Sequence, residues 1–236
     1  MKKITYILIF IILTTFLFGC TSHSKKTTSE VKTKHPDYLY LYKNILDRYK
    51  RSCETNDEAD YDNKNNLSTG LCEAASEIDL PHKVGYKLID LNDDGVDELV
   101  ISLLEKKGYY NYIIAIYQYI DGKGVQKIED GWARNKYYLL KGNILLNEAS
   151  GGAFCSHTSK IKMTGHKLKT IAMLILDSEL PEDEDEVAKP FYLYNPNGKA
   201  TKKKEFYITR NEWEKKIKEW ESEIVRVDFI PFANYK

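Results

Sequence analysis

The stretch LIDLNDDGVDELVIS, residues Leu88 to Ser102, places an acidic loop around Gly95 between two apolar runs. Short apolar runs on either side of a polar turn are typical of neighbouring antiparallel strands. Gly95 permits the sharp turn that such a connection needs. The stretch therefore predicts a strand, a tight loop and a second strand, and its acidic residues raise the question of a metal site.

Oxygen-bearing groups recur at alternate positions of this loop. They are the side chains of Asp90, Asn92, Asp94 and Glu98 and the main-chain carbonyl of Val96. Calcium takes about six to eight oxygens at about 2.4 Å, whereas magnesium demands stricter octahedral geometry. An EF-hand is not expected, because Ile101 stands where its closing Glu should be. The loop predicts a structural calcium site, and the alternative is an ion-free turn held by its own hydrogen bonds.

The N-terminus has the layout of an export signal. A basic start precedes the apolar run from Ile4 to Phe18, which ends on Gly19 and Cys20. This order characterises a secretory signal peptide, here residues 1–19. Cys20 directly after Gly19 resembles a bacterial lipoprotein signal, which implies cleavage before Cys20 and attachment of lipid to it. A membrane-spanning anchor is the alternative, since the run is nearly long enough to cross a bilayer.

The rest of the chain is expected at the extracellular face of the cell membrane. Residues 20–36 are rich in Ser, Thr and Lys and cannot bury enough apolar surface to fold, which predicts a flexible tether. Residues 37–236 are long enough for a single α+β domain with its own core. The 35 Lys and Arg balance the 35 Asp and Glu, so no basic field exists to attract nucleic acid. The expected partners are the membrane and an unidentified protein or wall polymer.

Apolar residues recur with two different periods in residues 37–236. Apolar residues at helical spacing between Tyr38 and Tyr49 predict an N-terminal helix. A polar stretch follows, with at most a short helix near residues 72–78. From Val84 onward the period changes to two and Gly-containing turns separate the runs, which predicts a largely antiparallel, meandering sheet. The predicted strands are 84–90, 97–104, 110–120, 125–130, 136–140, 143–149, 158–163, 167–176, 190–195 and 202–208.

The C-terminal part predicts an amphipathic helix. Trp213, Ile217 and Trp220 recur at helical spacing, and Asn211 followed by Glu214 predicts a capping box at the start of the helix. The fold class expected from these elements is α+β, with one helix before the strands of the sheet in the sequence and one helix after them.

The sequence does not decide whether Cys53 and Cys72 form a disulfide. Cys53 and Cys72 flank a polar stretch, and a disulfide between them would restrict the unfolded chain outside the cytoplasm. Two free thiols are the alternative, because the sequence alone gives no geometry. Cys155 has no cysteine partner in this scheme. The chain carries no C-x-x-C spacing, so a structural zinc site is not expected.

No residue is predicted to be catalytic. In SGGAFCSHTS, residues 150–159, Cys155 and His157 would share one face of a strand, which is a starting point for nucleophilic chemistry. A Gly-containing bulge beside a half-buried Cys is the alternative. The 18 tyrosines could form a stacking surface for a sugar or a peptide, or could straddle core and surface in the sheet.

The spacing D-x-N-x-D-G-x-x-E, from Asp90 to Glu98, resembles the calcium hairpins of integrin-type propeller repeats. This resemblance implies that Glu98 completes the cage formed with Asp90, Asn92, Asp94 and Val96. It also implies that Asp93 and Asp97 add charge from outside. A full propeller needs several such repeats, and the sequence has one.

The wider pattern resembles a family of Gram-positive bacterial lipoproteins of uncharacterised function. The residues that carry it are Tyr86, Leu88, Asp90, Asn92, Asp94, Gly95, Glu98, Leu99 and Ile101, together with IYQYIDGKG, EASGGA and ITRNEWEKKIKEW. The resemblance covers most of residues 37–236 and implies an architecture rather than an activity.

The expected function is that of a membrane-anchored extracellular lipoprotein with a structural calcium hairpin. It would serve as a non-enzymatic binding or envelope-associated module. A cell-surface hydrolase acting on wall glycan or peptide is the main alternative, and a small-ligand carrier is a third.

Overall fold

The structure is a computed structural model that describes residues 38–55, 67–75, 79–105, 110–152, 155–179 and 189–236. The expected signal peptide, the predicted lipidation site Cys20 and the predicted tether lie outside the described residues. Within the described part of the chain, no helix is long and apolar enough to span a membrane.

The described residues form four α-helices and a sheet of eleven strands. The helices are α1 (Leu39–Thr55), α2 (Thr69–Ala74), α3 (Leu80–Lys83) and α4 (Arg210–Glu221). The strands are β1 (Val84–Ile89), β2 (Glu98–Leu103), β3 (Tyr112–Ile120), β4 (Gly124–Asp130), β5 (Asn135–Leu140), β6 (Ile144–Gly152), β7 (Cys155–Thr164), β8 (Lys167–Glu179), β9 (Lys189–Asn195), β10 (Tyr207–Ile208) and β11 (Ile230–Pro231).

The sheet confirms the predicted antiparallel meander. Its strand order is β10-β9-β8-β7-β6-β5-β3-β2-β1-β11, with β4 paired to β3 beside this path. Each strand pair is antiparallel. Short hairpins explain this order, because neighbours in sequence become neighbours in the sheet. In the three-residue turn between β5 and β6, Gly142 and Asn143 both have positive φ, 77° and 56°.

One face of the sheet is covered near its β1 end by α1. The apolar stripe predicted for this helix is buried as Tyr42, Ile45, Leu46 and Tyr49. It packs against alternate residues of β1, β2 and β3. The Tyr49 hydroxyl lies 3.0 Å from the Tyr117 hydroxyl and accepts a hydrogen bond of 3.0 Å from the Ser68 N–H. These bonds allow a phenol to be fully buried without an unsatisfied polar atom.

The C-terminal helix α4 covers the β5 to β9 part of the sheet. Its buried Trp220 packs with Leu140, Leu146 and Leu174 of the strands below. The predicted capping box at Asn211 and Glu214 is wrong by two residues. Thr209 caps the helix and Glu212 closes the box, because Thr209 is still extended while Asn211 already lies in the first helical turn.

The predicted strand 202–208 is much shorter in the structure. Only Tyr207 and Ile208 pair with β9, and residues 204–206 form one 3-10 turn instead. The preceding segment is Lys-rich and mostly exposed, so it has no apolar alternation to bury against the sheet. Other predicted strands are confirmed with ends that shift by a few residues.

The opposite face of the sheet carries a third apolar cluster. Val100 and Ile113 belong to it, whereas their neighbours Ile101 and Ile114 face α1. Side chains alternate between faces along a strand, so the same strands supply both clusters.

Candidate functional site

The acidic loop between β1 and β2 is curled by its own side chains. The Asp90 carboxylate accepts hydrogen bonds from the N–H groups of Asp94 at 3.1 Å and Gly95 at 2.9 Å. The Asn92 amide oxygen accepts from the Asp94 N–H at 3.0 Å, and the Asp94 carboxylate accepts from the Val96 N–H at 2.8 Å. The side chains of Asp90, Asn92 and Asp94 are therefore all turned into the loop.

Two backbone conformations make this curl feasible. Gly95 has φ of 86° and Asp93 has φ of 62°. Glycine adopts positive φ without a steric cost, and Asp tolerates the left-handed region better than most side chains. The sequence anticipated the role of Gly95, whereas nothing singled out Asp93 as a left-handed residue.

Glu98 closes the loop from inside the fold. Its side chain is fully buried at the start of β2. One carboxylate oxygen accepts from the Leu91 N–H at 2.8 Å, and the other accepts from the Gln118 amide at 3.0 Å. Burial raises the pKa of Glu98 to about 7, and the nearby Asp94 and Asp90 carboxylates add to this although the two hydrogen bonds oppose it. A cation at the loop would favour the charged form of Glu98.

Two other hairpin turns meet the acidic loop. From the β5–β6 turn, the Asn143 amide donates to the Asp90 carbonyl at 2.9 Å and to the Asp93 carboxylate at 3.1 Å. From the β7–β8 turn, the Gly165 carbonyl accepts from the Asn92 amide at 3.0 Å. Since β7 lies several strands from β2 in the sheet order, these contacts show that the sheet coils strongly.

Gln118 connects Glu98 to the β7–β8 turn. Its amide donates to Glu98 and, at 3.3 Å, to the Gly165 carbonyl, while its oxygen lies 2.9 Å from Nδ1 of His166. On the other side, the Tyr42 hydroxyl of α1 donates to the Asp97 carbonyl at 2.8 Å. The loop is thus held by α1, by β3 and by two turns.

The fit of a metal to this arrangement is incomplete in the conformation observed. No group of three or more His, Cys, Asp or Glu side chains in the described ranges is placed to hold a metal ion. The predicted cage relies partly on Asn92 and on the Val96 carbonyl, and Glu98 already accepts two N–H donors. Each carboxylate keeps further lone pairs, so an oxygen that accepts one hydrogen bond can still face a cation. The calcium site stays a prediction.

Cys155 and His157 lie on β7 as the sequence suggested. Cys155 is exposed and pairs across the sheet with Gly152, where the register shifts and forms a bulge. His157 is half-buried, and burial lowers its pKa. No hydrogen bond joins the thiol to the imidazole among the described residues. The bulge agrees with the second interpretation, but Cys155 is exposed and not half-buried as that interpretation had it.

The other two described cysteines differ in burial. Cys53 is buried at the end of α1, and burial raises the pKa of its thiol to about 12. Cys72 is exposed on α2, and no disulfide joins these two residues in the structure. Their pairing stays a prediction of the sequence.

The tyrosines divide between core and surface. In FYLY, Tyr192 and Tyr194 contact Trp213 and Trp220 of α4, with ring centroids 5.7 and 6.3 Å apart, so these rings are used by the fold. Tyr112 instead lines a surface cavity. Tyr110 and Tyr138 line the same cavity, so among the described tyrosines these three are candidates for the predicted stacking surface.

Comparisons with family models, with curated proteins and with solved structures found no match for this chain. The resemblance to Gram-positive lipoproteins therefore stays a prediction, and the function has to be argued from the geometry.

Proposed function

We propose that this chain is a lipid-anchored protein of the extracellular face of the cell membrane that binds a protein or wall polymer without catalysis. In this proposal, calcium stabilises the hairpin between β1 and β2. The observation that carries the calcium proposal is the fully buried Glu98 carboxylate beside a loop curled around Asp90 and Asp94.

The charge of the loop supports a cation. Asp90, Asp93, Asp94, Asp97 and Glu98 lie within nine consecutive residues of the chain. Like charges at this spacing repel each other, and the repulsion grows where burial removes water from a carboxylate. A calcium ion between the alternate oxygens would relieve the repulsion and keep Glu98 ionised.

The position of the loop explains why calcium would act on the whole fold. Ile89 pairs with Glu98 in the last register position of β1 and β2, directly beside the loop. The same loop contacts α1 and two distant turns. Fixing it would therefore fix the strand register and the coiling of the sheet together.

The test is thermal unfolding of the full chain in chelator and in millimolar calcium. We expect a rise in melting temperature of about 5–10 °C, since a site well above its Kd stabilises by about 2–3 kcal/mol. Magnesium at the same concentration should give a smaller rise. Asp121→Asn, in the exposed β3–β4 turn, is the matched control and should keep the calcium response. An unchanged melting temperature would remove calcium from the proposal.

The lipid anchor has its own test. Cys20→Ala should abolish incorporation of a labelled fatty acid and move the chain out of the membrane fraction of a Gram-positive host. Cys155→Ala, which removes an exposed thiol elsewhere, should leave both unchanged. Retention of the label in the Cys20 variant would contradict the anchor.

A cell-surface hydrolase acting on wall glycan or peptide is the second proposal. Two carboxylates, Glu148 and Glu221, line one cavity, and paired carboxylates support general acid–base hydrolysis. Turnover of wall fragments by the full chain, lost in Glu148→Gln and retained in Glu219→Gln, would favour this proposal over a binding role.

A further inference from the structure

A cavity of about 580 Å³ opens on the helix-bearing face of the sheet, bordered by the end of α4. We call it the sheet–helix cavity and define it by Tyr110, Tyr112, Lys136, Tyr138, Glu148 and Glu221. Its volume is that of a site for a small molecule rather than for a folded partner. The acidic loop does not contribute to it.

Aromatic rings form part of its floor. Ile113 of β3 pairs with Tyr137 of β5, so the antiparallel register places Tyr112 and Tyr138 side by side on the same face. Tyr110 stands next to them with 41% of its surface exposed. Three rings around one opening give a ligand an apolar contact with an electron-rich face.

The charge of the lining is negative. Among the lining residues that the structure describes, Glu105, Glu148 and Glu221 carry three carboxylates and Lys136 carries one ammonium, which leaves two negative charges in excess. The Lys136 Nζ lies 4.9 Å from the centroid of the Tyr112 ring. The cavity therefore already holds one cation of its own against an aromatic ring.

Glu148 shows that this internal compensation is incomplete. Its pKa is raised first by burial and then by the Glu221 carboxylate, while Lys136 and the hydrogen bond from Tyr138 oppose the rise. Strand register fixes this arrangement, since Glu148 of β6 lies directly opposite Lys136 of β5. A second positive charge near Glu148 and Glu221 would stabilise both carboxylates.

We propose that the sheet–helix cavity binds a small organic cation. Its ammonium group would lie between Glu148 and Glu221. Its carbon skeleton would lie against Tyr112 and Tyr138. This inference rests on the proposed binding role, to which it adds a ligand class, but it does not depend on the calcium loop.

A neutral sugar is the main competing ligand for an aromatic cavity. It could stack on the rings and donate hydroxyl hydrogen bonds to the carboxylates. It would leave the excess negative charge in place, so the charge of the lining favours the cation.

The test is calorimetric titration of the full chain in a nonionic detergent with saturating calcium. Choline and putrescine are the cationic probes, and N-acetylglucosamine is the neutral one. We expect the cations to bind and the sugar not to bind. Affinity should fall as salt is raised, because the cavity is open to solvent and its charges are screened. Affinity should also fall as the pH is lowered through the raised pKa of Glu148, whose charged neighbours are Glu105, Glu221 and Lys136 and whose hydroxyl partner is Tyr138.

Variants locate the binding. Removing one carboxylate with Glu148→Gln or Glu221→Gln should weaken cation binding about five- to tenfold, the effect of losing about 1 kcal/mol or slightly more. Glu219→Gln, on an exposed turn of the same helix, is the matched control and should bind like the parent chain. Unfolding curves of each variant show whether it is folded.

Several results would overturn the inference. These are binding of the sugar in preference to both cations, cation binding unaffected by both Glu→Gln changes, or no binding of either cation at millimolar concentration. The calcium response is measured on the same sample. If it persists while the cations fail, only the ligand class is wrong, whereas loss of the calcium response with retained cation binding contradicts only the loop proposal.

Discussion

The acidic loop and the sheet–helix cavity both concentrate carboxylates, but the fold uses the two sets in opposite ways. In the loop, Asp90, Asp94 and Glu98 accept hydrogen bonds from main-chain N–H groups a few residues away. In the cavity, the partners of Glu148 among the described residues are side chains, and Glu221 is exposed at the end of α4.

This difference separates structural charges from charges that are free to meet a ligand. A carboxylate that satisfies main-chain donors cannot be removed without leaving those donors unpaired. A carboxylate that faces an opening leaves no main-chain donor unpaired when it is replaced, so its replacement costs the fold little. Substitutions in the loop should therefore change stability, and substitutions in the cavity should change binding.

Glu98→Ala should have the largest effect on stability. The change leaves the buried Leu91 N–H without its acceptor and removes a hydrogen bond from the Gln118 amide. We therefore expect a loss of about 3 kcal/mol in the free energy of unfolding. Urea denaturation measures it. Glu219→Ala on the helix surface is the control and should stay within about 0.5 kcal/mol of the parent. A loss below about 1 kcal/mol for Glu98→Ala would mean that the loop is not structural.

The next largest effect should be the pH dependence of the free energy of unfolding, measured in chelator. The pKa of Glu98 is about 7 in the fold and 4.5 as its ordinary value. Between these values the folded state binds more protons than the unfolded state, so stability falls as the pH rises from 4.5 towards 7. The slope contributed by Glu98 is at most about 1.4 kcal/mol per pH unit.

Calcium should reverse this trend, because a bound cation favours the ionised carboxylate. The calcium-induced rise in melting temperature should therefore be larger at pH 8 than at pH 5. Glu98→Gln removes the titrating group. The dependence of its unfolding free energy on pH in chelator should therefore lack the contribution of Glu98. The same slope in the parent and in Glu98→Gln across this window would contradict the role assigned to Glu98, since other groups such as His157 contribute equally to both chains.

The loop was largely readable from the sequence because its residues are adjacent in the chain. Spacing located Asp90, Asn92 and Asp94, and period-two alternation located the strands on either side. Spacing could not show that Glu98 is buried and bound to Gln118, since that depends on the pairing of β2 with β3. The contact with Gly165 depends on the coiling of the sheet, which no local pattern reports.

The cavity was not predicted because its residues come from distant parts of the chain. Tyr112 and Glu221 meet there only after the strands pair and α4 folds back. One local signal was available. Leu146 and Glu148 share a face of β6, and the carboxylate interrupts an otherwise apolar alternation beside Lys136. A charged residue at such a position indicates the edge of the core.

Asp94→Asn should reduce the calcium response while changing the fold only moderately. Asn keeps one oxygen to accept the Val96 N–H but removes a charge from the proposed cage. We expect at least half of the calcium-induced rise in melting temperature to be lost. Asp93→Asn is the matched control, since Asp93 lies outside the proposed cage and Asn tolerates its positive φ. Equal losses in the two variants would show that the loop responds to net charge and not to coordination.

The smallest effect on stability is expected for Glu148→Gln. The parent carboxylate is half-buried next to Glu221, so replacing it with a neutral amide removes a repulsion and a desolvation cost while giving up a weak attraction to Lys136. Unfolding free energy at pH 7 should stay within about 0.5 kcal/mol of the parent, with any change towards higher stability. Urea denaturation at a series of pH values measures it, and the difference between parent and variant should shrink as the pH is lowered through the raised pKa of Glu148. A clear loss of stability would place Glu148 with the loop carboxylates as a structural group, and the two regions would then no longer differ in how they use their charges.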